Sequence, residues 1–118
     1  RGASYESNMA VDPAIDPEDL RKAGREYTGN NDPDHPQISP IGADLSGLPP
    51  MLIQVGGDET MLDDSTVFAG RAEAAGVDVI LEVWPGLWHV FQGEAPQVPE
   101  ANAALDVIGR YVRQRLTI

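Results

Sequence analysis

The chain has 118 residues, a formal net charge of −11 and 42% hydrophobic content. That suffices for one small globular unit, and the charge disfavours nucleic-acid backbones and anionic lipid, which repel it over a Debye length of about 8 Å. It contains no cysteine, which excludes disulfides and thiolate metal sites without separating a reducing compartment from an oxidising one. No run approaches the ~18 apolar residues of a membrane helix, so no membrane insertion is expected. Arg1-Gly2-Ala3-Ser4-Tyr5 lacks the zones of a signal peptide and no initiator methionine precedes it, which places the expected amino terminus upstream. A cytoplasmic location is the expectation, with secretion also compatible.

Residues 1 to 11 carry no strong period. Asp12-Pro13 and Asp16-Pro17 each set a capping side chain before a proline, and the second pair is the better helix start. The spacing of Leu20, Ala23, Gly24 and Tyr27 predicts a helix over Pro17–Tyr27, with Glu18 and Asp19 at the positive end of its dipole and Thr28-Gly29 as its stop. Residues 29 to 50, rich in Gly, Asn, Asp and Pro, read as a long ordered connection anchored by the apolar residues of Ser39-Pro40-Ile41-Gly42-Ala43-Asp44-Leu45. His35 lies inside it and reads as a solvated loop histidine.

Met51–Val55 is a short apolar run bounded by Pro50 and Gly56, as expected of a parallel strand covered on both faces. Asp63-Asp64-Ser65 offers caps for a helix reaching Ala75, with Phe68, Ala72 and Ala75 on one face and Gly76 as a left-handed stop. Val77, Val79, Leu81 and Val83 alternate with Asp78, Ile80, Glu82 and Trp84, which predicts a second strand with one apolar and one mixed face, near a sheet edge. A last helix starts at about Pro99, with Ala101, Ala104, Leu105, Ile108 and Val112 in a stripe and Arg110, Arg113 and Arg115 in its final turns.

Strand, helix, strand, helix implies right-handed crossovers and an α/β fold with a parallel sheet between helices. A strand buried on both faces needs more neighbours than this chain holds. Most of the sheet is therefore expected from polypeptide outside the chain.

In open parallel sheets ligands meet the carboxyl ends of strands. Asp58 follows the first strand after Gly56-Gly57, and His89 follows the second after Pro85-Gly86, so both side chains are expected on one rim. An acid that orients an imidazole is two thirds of a Ser-His-Asp triad. Asp44, Asp58, Glu59, Asp63 and Asp64 compete for the acid's place. Capping explains at least one of Asp63 and Asp64, Asp44 lies too far ahead of the strand, and Glu59 is the reserve should the loop turn differently, which leaves Asp58 preferred. The flanking Trp88, Val90 and Phe91 suit either a structural core histidine or the apolar wall of an acyl pocket. The two histidines are far apart and no His-x-x-x-His or cysteine cluster occurs, so no metal is implied. Asp58-Glu59-Thr60-Met61-Leu62-Asp63-Asp64 lacks the glycine and closing glutamate of an EF-hand loop.

Taken in order, Leu48-Pro49-Pro50-Met51-Leu52-Ile53-Gln54-Val55-Gly56-Gly57-Asp58-Glu59, Leu62-Asp63-Asp64-Ser65, Ala74-Ala75-Gly76-Val77 and Trp88-His89-Val90-Phe91 resemble the C-terminal third of bacterial hormone-sensitive-lipase-type α/β-hydrolases, which include carboxylesterases and epsilon-lactone hydrolases. The resemblance runs from about Asp12 to the end and is strongest over Ser39–Phe91. It implies residues 1–38 as a helical and loop segment bordering the pocket or cap, and residues 39–118 as the last two parallel strands of the hydrolase domain with their helices. It also implies Asp58 as triad acid, His89 as general base, and Trp88, Val90 and Phe91 as substrate-binding, in a carboxylic-ester hydrolase acting without a cofactor on short- to medium-chain esters or lactones.

The family's Gly-Asp-Ser-Ala-Gly-Gly elbow and His-Gly-Gly-Gly loop do not occur here, and serines 4, 7, 39, 46 and 65 lack the glycine frame. The nucleophile is thus expected in an N-terminal remainder bound as a separate chain, and this chain alone is expected to be inactive. A homo-oligomer is compatible with the sequence. The competing reading is a non-catalytic small-molecule-binding protein on the same fold, as in plant gibberellin receptors, which lack the catalytic histidine that His89 would supply.

Overall fold

The computed structural model describes residues 2–117. In chain order the elements are α1 (Ser4–Ser7), α2 (Pro17–Thr28), β1 (Met51–Gly56), α3 (Leu62–Ala74), β2 (Val79–Trp84) and α4 (Pro99–Leu116), with 3-10 turns at Pro40–Gly42 and Phe91–Glu94. The strands are parallel, with Met51 opposite Val79 and Gly56 opposite Trp84. This register ends both strands at one level, so the segments that follow them leave from the same rim.

A helix covers each face of the strand pair. Against α3, Leu45, Ala72 and Val77 are buried, with Met51, Phe68, Ala75 and Val79 packed on them. Gly76, at φ +84°, stops that helix as its sequence predicts. On the other face Ala101 and Ala104 of α4 meet Leu87 and Phe91, flanked by Trp84 and Trp88. Small residues on α4 let the helix approach closely enough to bond a strand side chain. Gln54 Nε2 donates to the Ala104 carbonyl and to Glu82 Oε2, both at 3.0 Å, and Trp84 Nε1 donates to the same carboxylate oxygen at 3.1 Å. The mixed face of β2 therefore carries polar atoms under a helix only because each finds a partner there.

Four expectations change. β1 is half-buried over Met51–Gln54 and buried only at Val55 and Gly56, because one strand neighbour covers it among the described residues. Asp63 and Asp64 do not cap α3, which begins at Leu62 without a side-chain cap. Their carboxylates instead accept from the Ser4 backbone N–H (3.0 Å) and the Tyr5 hydroxyl (2.7 Å). α2 has its expected cap, Asp16 Oδ1 accepting from the Glu18 N–H at 2.7 Å, but buries only Pro17 and leaves Tyr27 75% exposed. In α4 the apolar stripe is covered at Ala101 and Ala104, while Leu105 and Val112 stay over 40% exposed. A helix of 18 residues extends about 27 Å, past the roughly 20 Å of a six-residue strand.

Candidate active site

At the carboxyl end of β1 the chain folds back in a tight turn, the Glu59 N–H donating to the Gly56 carbonyl at 3.2 Å. The turn is joined to the end of β2 by the Gly57 N–H on the Trp84 carbonyl (2.8 Å) and to the segment after it by the Asp58 N–H on the Leu87 carbonyl (3.0 Å). Backbone approaches backbone so closely that a Cβ on Gly56 would run into the Leu87 carbonyl. A glycine is required there for space, not for an unusual torsion.

The turn returns the Glu59 carboxylate over the strand end. Its Oε2 accepts from the Gly56 N–H at 2.6 Å and its Oε1 lies 2.8 Å from His89 Nδ1. The Glu59 side chain is 8% exposed and that of His89 31%. Both carboxylate oxygens are engaged, one by backbone and one by imidazole, so the acid has a single orientation. With Nδ1–H donating to the carboxylate, Nε2 is the ring nitrogen left to accept a proton.

The imidazole's partner is therefore Glu59 and not Asp58. In a four-residue turn that starts at Gly56, the fourth residue comes back over the strand, while Asp58 occupies the third place and uses its backbone N–H to bond Leu87. The other acids are committed elsewhere: Asp63 and Asp64 to the N-terminal segment, and Asp44 to Ser46. The Ser46 hydroxyl, and then its backbone N–H, hold the Asp44 carboxyl below the usual carboxylate range.

Among the flanking residues, Phe91 is no pocket wall. It is fully buried, with its ring centroid 5.7 Å from that of Trp84, and it anchors the histidine loop to the α4 core. Trp88 packs partly against the same cluster. Val90 alone of the three lines the open side beside His89, in a groove of about 1810 Å3 that Ile53, Phe68, Leu20 and Tyr27 also border. It is 63% exposed and sits in the left-handed region at φ 51°, ψ 36°, a conformation that costs a β-branched residue on the order of 1–3 kcal/mol. His35, in the exposed 29–41 connection, accepts from the Gln37 N–H through Nδ1 and takes no part in the pair. No three His, Cys, Asp or Glu side chains among the described residues are grouped to hold a metal ion.

The sequence reading did not single out the N-terminal segment. Ser4, Asp12, Glu59 and Thr60 are the buried polar residues of the described chain, and all four meet at this turn. The regular spacing of Ser4, Asn8 and Asp12 is the only signal that could have flagged it.

A carboxylate-imidazole pair fixed at the carboxyl rim of parallel strands defines the acid-base part of a hydrolase-type site. The sequence pattern described as "alpha/beta hydrolase fold" matches residues 1–93, and the chain belongs to that family. It is 40% identical over 112 residues to an acetyl-hydrolase of Streptomyces hygroscopicus, which covers 95% of this chain and 38% of that protein. It is 38% identical over 109 residues to an esterase of Acinetobacter venetianus, covering 92% of this chain and 36% of the esterase. Among solved structures, an esterase from the bacterial hormone-sensitive lipase family superposes with a TM-score of 0.92 at 45% identity, over 96% of this chain and 38% of that one. A hormone-sensitive lipase from a metagenome library gives a TM-score of 0.93 at 41% identity, over 98% and 40%. The chain thus spans well under half the length of these relatives. The expected fold, a C-terminal portion of an α/β-hydrolase with two parallel strands and flanking helices, is the one observed.

Proposed function

We propose that this chain supplies the general base, His89, and its orienting acid, Glu59, to a serine carboxylic-ester hydrolase whose nucleophile and oxyanion donors lie in an N-terminal remainder. The contact that carries the reading is Glu59 Oε1 to His89 Nδ1 at 2.8 Å, with Oε2 tied to the Gly56 N–H. Relatives named acetyl-hydrolase, esterase and carboxylesterase/phospholipase support ester cleavage. The substrate class that follows is short- to medium-chain acyl esters or lactones. The remainder pairs with this chain as a separate polypeptide, seated at the open edge of β1 and in the groove beside His89.

In the reaction His89 Nε2 takes the serine proton as the hydroxyl attacks the ester carbonyl, then returns it to the departing alcohol. Water repeats the cycle on the acyl-enzyme. Glu59 stays ionised throughout. It fixes the ring through Nδ1 and faces the imidazolium that forms in each transition state, while the Gly56 N–H keeps the carboxylate from rotating away. General-base catalysis of this kind contributes about 10²–10⁴ in rate. Alone, the chain holds no nucleophile in a glycine frame and is inactive on this reading.

Turnover of p-nitrophenyl acetate and butyrate by the completed protein tests the assignment, with a serine-reactive phosphonate identifying the polypeptide that carries the nucleophile. His89→Ala should remove nearly all turnover and Glu59→Gln should lower kcat by about 10⁴. Asp58→Asn should stay near wild type. The opposite pattern for the two acids would return the role to Asp58.

A further inference from the structure

The peptide units that carry Glu59 lie between the end of β1 and the start of α3; their N–H groups reach the Trp84, Leu87 and Gly56 carbonyls and the Leu62 N–H reaches the Glu59 carbonyl, but the Gly57 carbonyl and both polar groups of Thr60 need further partners. A segment from the other end of the chain supplies them. Asn8 Nδ2 donates to the Gly57 carbonyl at 3.1 Å and to the Glu59 carbonyl at 2.8 Å, bridging both sides of Asp58. Asp12 Oδ2 accepts the Thr60 N–H at 2.8 Å, while its Oδ1 accepts the Ala14 N–H at 2.9 Å. Ser4 Oγ donates to the Thr60 carbonyl at 2.8 Å and accepts the Asp63 N–H at 3.0 Å. Asp12 is a buried carboxylate, 7% exposed, that the proposed reaction does not use.

Four of these bonds, from both Asn8 contacts, Asp12 Oδ2 and the Ser4 hydroxyl donor, end on the 57–60 main chain beside the acid. Rotating the 57–60 peptide units would swing the Glu59 carboxylate, since among the described residues its side chain is anchored at Gly56 and His89. We infer that residues Ser4–Asp12 form a strap that sets the position of Glu59, with Asn8 and Asp12 as positioning residues for the Glu59–His89 pair. This rests on the reading of that pair given above. Asn8 acts because one amide group spans two carbonyls and so locks the turn's torsions together. Asp12 acts because a charged acceptor makes the stronger bond to a backbone N–H. Tyr5 and Glu6 of the strap border the groove beside His89, but Asn8 and Asp12 do not, so the influence of these two side chains should reach catalysis through kcat and leave ester binding alone.

The test uses the completed protein. Steady-state kinetics separate kcat from KM, and proton NMR follows the downfield His89 Nδ1 proton, assigned by its loss in His89→Ala. Asn8→Ala should lower kcat by about 10-fold or more, since displacement of a catalytic group by about 1 Å can cost 10²-fold. KM should hold and the Nδ1 proton should broaden or move upfield. Asp12→Asn keeps the shape and an acceptor oxygen, and should show the same changes to a smaller extent if Asn8→Ala does not fold. Ser46→Ala, which removes a hydroxyl bonded to Asp44 in the exposed connection far from the turn, should retain kcat. Wild-type kcat and an unmoved Nδ1 proton in Asn8→Ala and Asp12→Asn would overturn the strap's role. A wild-type protein without ester turnover would overturn the proposed reaction instead, and the Nδ1 proton would still decide whether the strap positions the pair.

Discussion

At the strand rim the chain buries polar groups and satisfies them from within, whereas along α2 and along α4 beyond Ala104 it leaves apolar groups outside. Ser4, Asp12, Glu59 and Thr60 are all under 8% exposed, and each has a partner drawn from a distant part of the sequence. On α2 only Pro17 is buried, and Tyr27, Leu105 and Val112 stand open. Burying polar atoms is costly unless every one is bonded, so a region that does so is specified by geometry and tolerates little change. A helix held by its cap and a few contacts tolerates much more. The rim is therefore the part whose structure its own hydrogen bonds specify, and the outer helices are the part whose apolar residues stay uncovered among the described residues.

Three substitutions, read by urea unfolding, would break or sharpen that contrast. Phe91→Ala empties the centre of the cluster beneath the histidine loop and should cost about 3–5 kcal/mol. A loss no larger than that of a surface change would mean that the rim does not depend on the α4 core. Gly56→Ala forces a methyl group into the Leu87 carbonyl and should cost about 3 kcal/mol, the upper end for overpacking. Near-neutral stability there would show that the two strand ends can separate without penalty. Asp16→Ala removes the α2 cap and should cost about 1 kcal/mol. If it cost as much as Gly56→Ala, the distinction between rim and outer helix would fail.

Much of the framework was legible because its signals are local. Asp16-Pro17 announced α2, Gly76 ended α3, and the apolar run and the alternating run gave two parallel strands. The place of His89 on the rim was legible because it follows a strand through a Pro-Gly turn. Its carboxylate partner was displaced by one residue, since strand position alone does not say which member of a turn returns over the strand end. That depends on hydrogen bonds between Gly57, Asp58 and the segment after β2, contacts that no local pattern encodes. Asp63 and Asp64 were misread for a related reason. At the start of a helix their composition suits capping, but the Ser4 N–H and the Tyr5 hydroxyl, remote in sequence, compete for the carboxylates. Phe91 carried the same ambiguity, since an aromatic next to a catalytic histidine and an aromatic in a core look alike until α4 is in place.

The strap joins residues 59 positions apart, as in the Ser4 to Asp63 bond. At synthesis rates of about 5–20 residues per second, its polar side chains leave the ribosome roughly 3–12 s before the turn they grip exists. During that interval Ser4, Asn8 and Asp12 lack the backbone partners that the turn later supplies. The acid-bearing turn gains its Trp84, Leu87 and His89 partners only after β2 and the segment behind it have emerged, so the carboxylate that faces His89 takes its place well after the strap that grips its turn has been made.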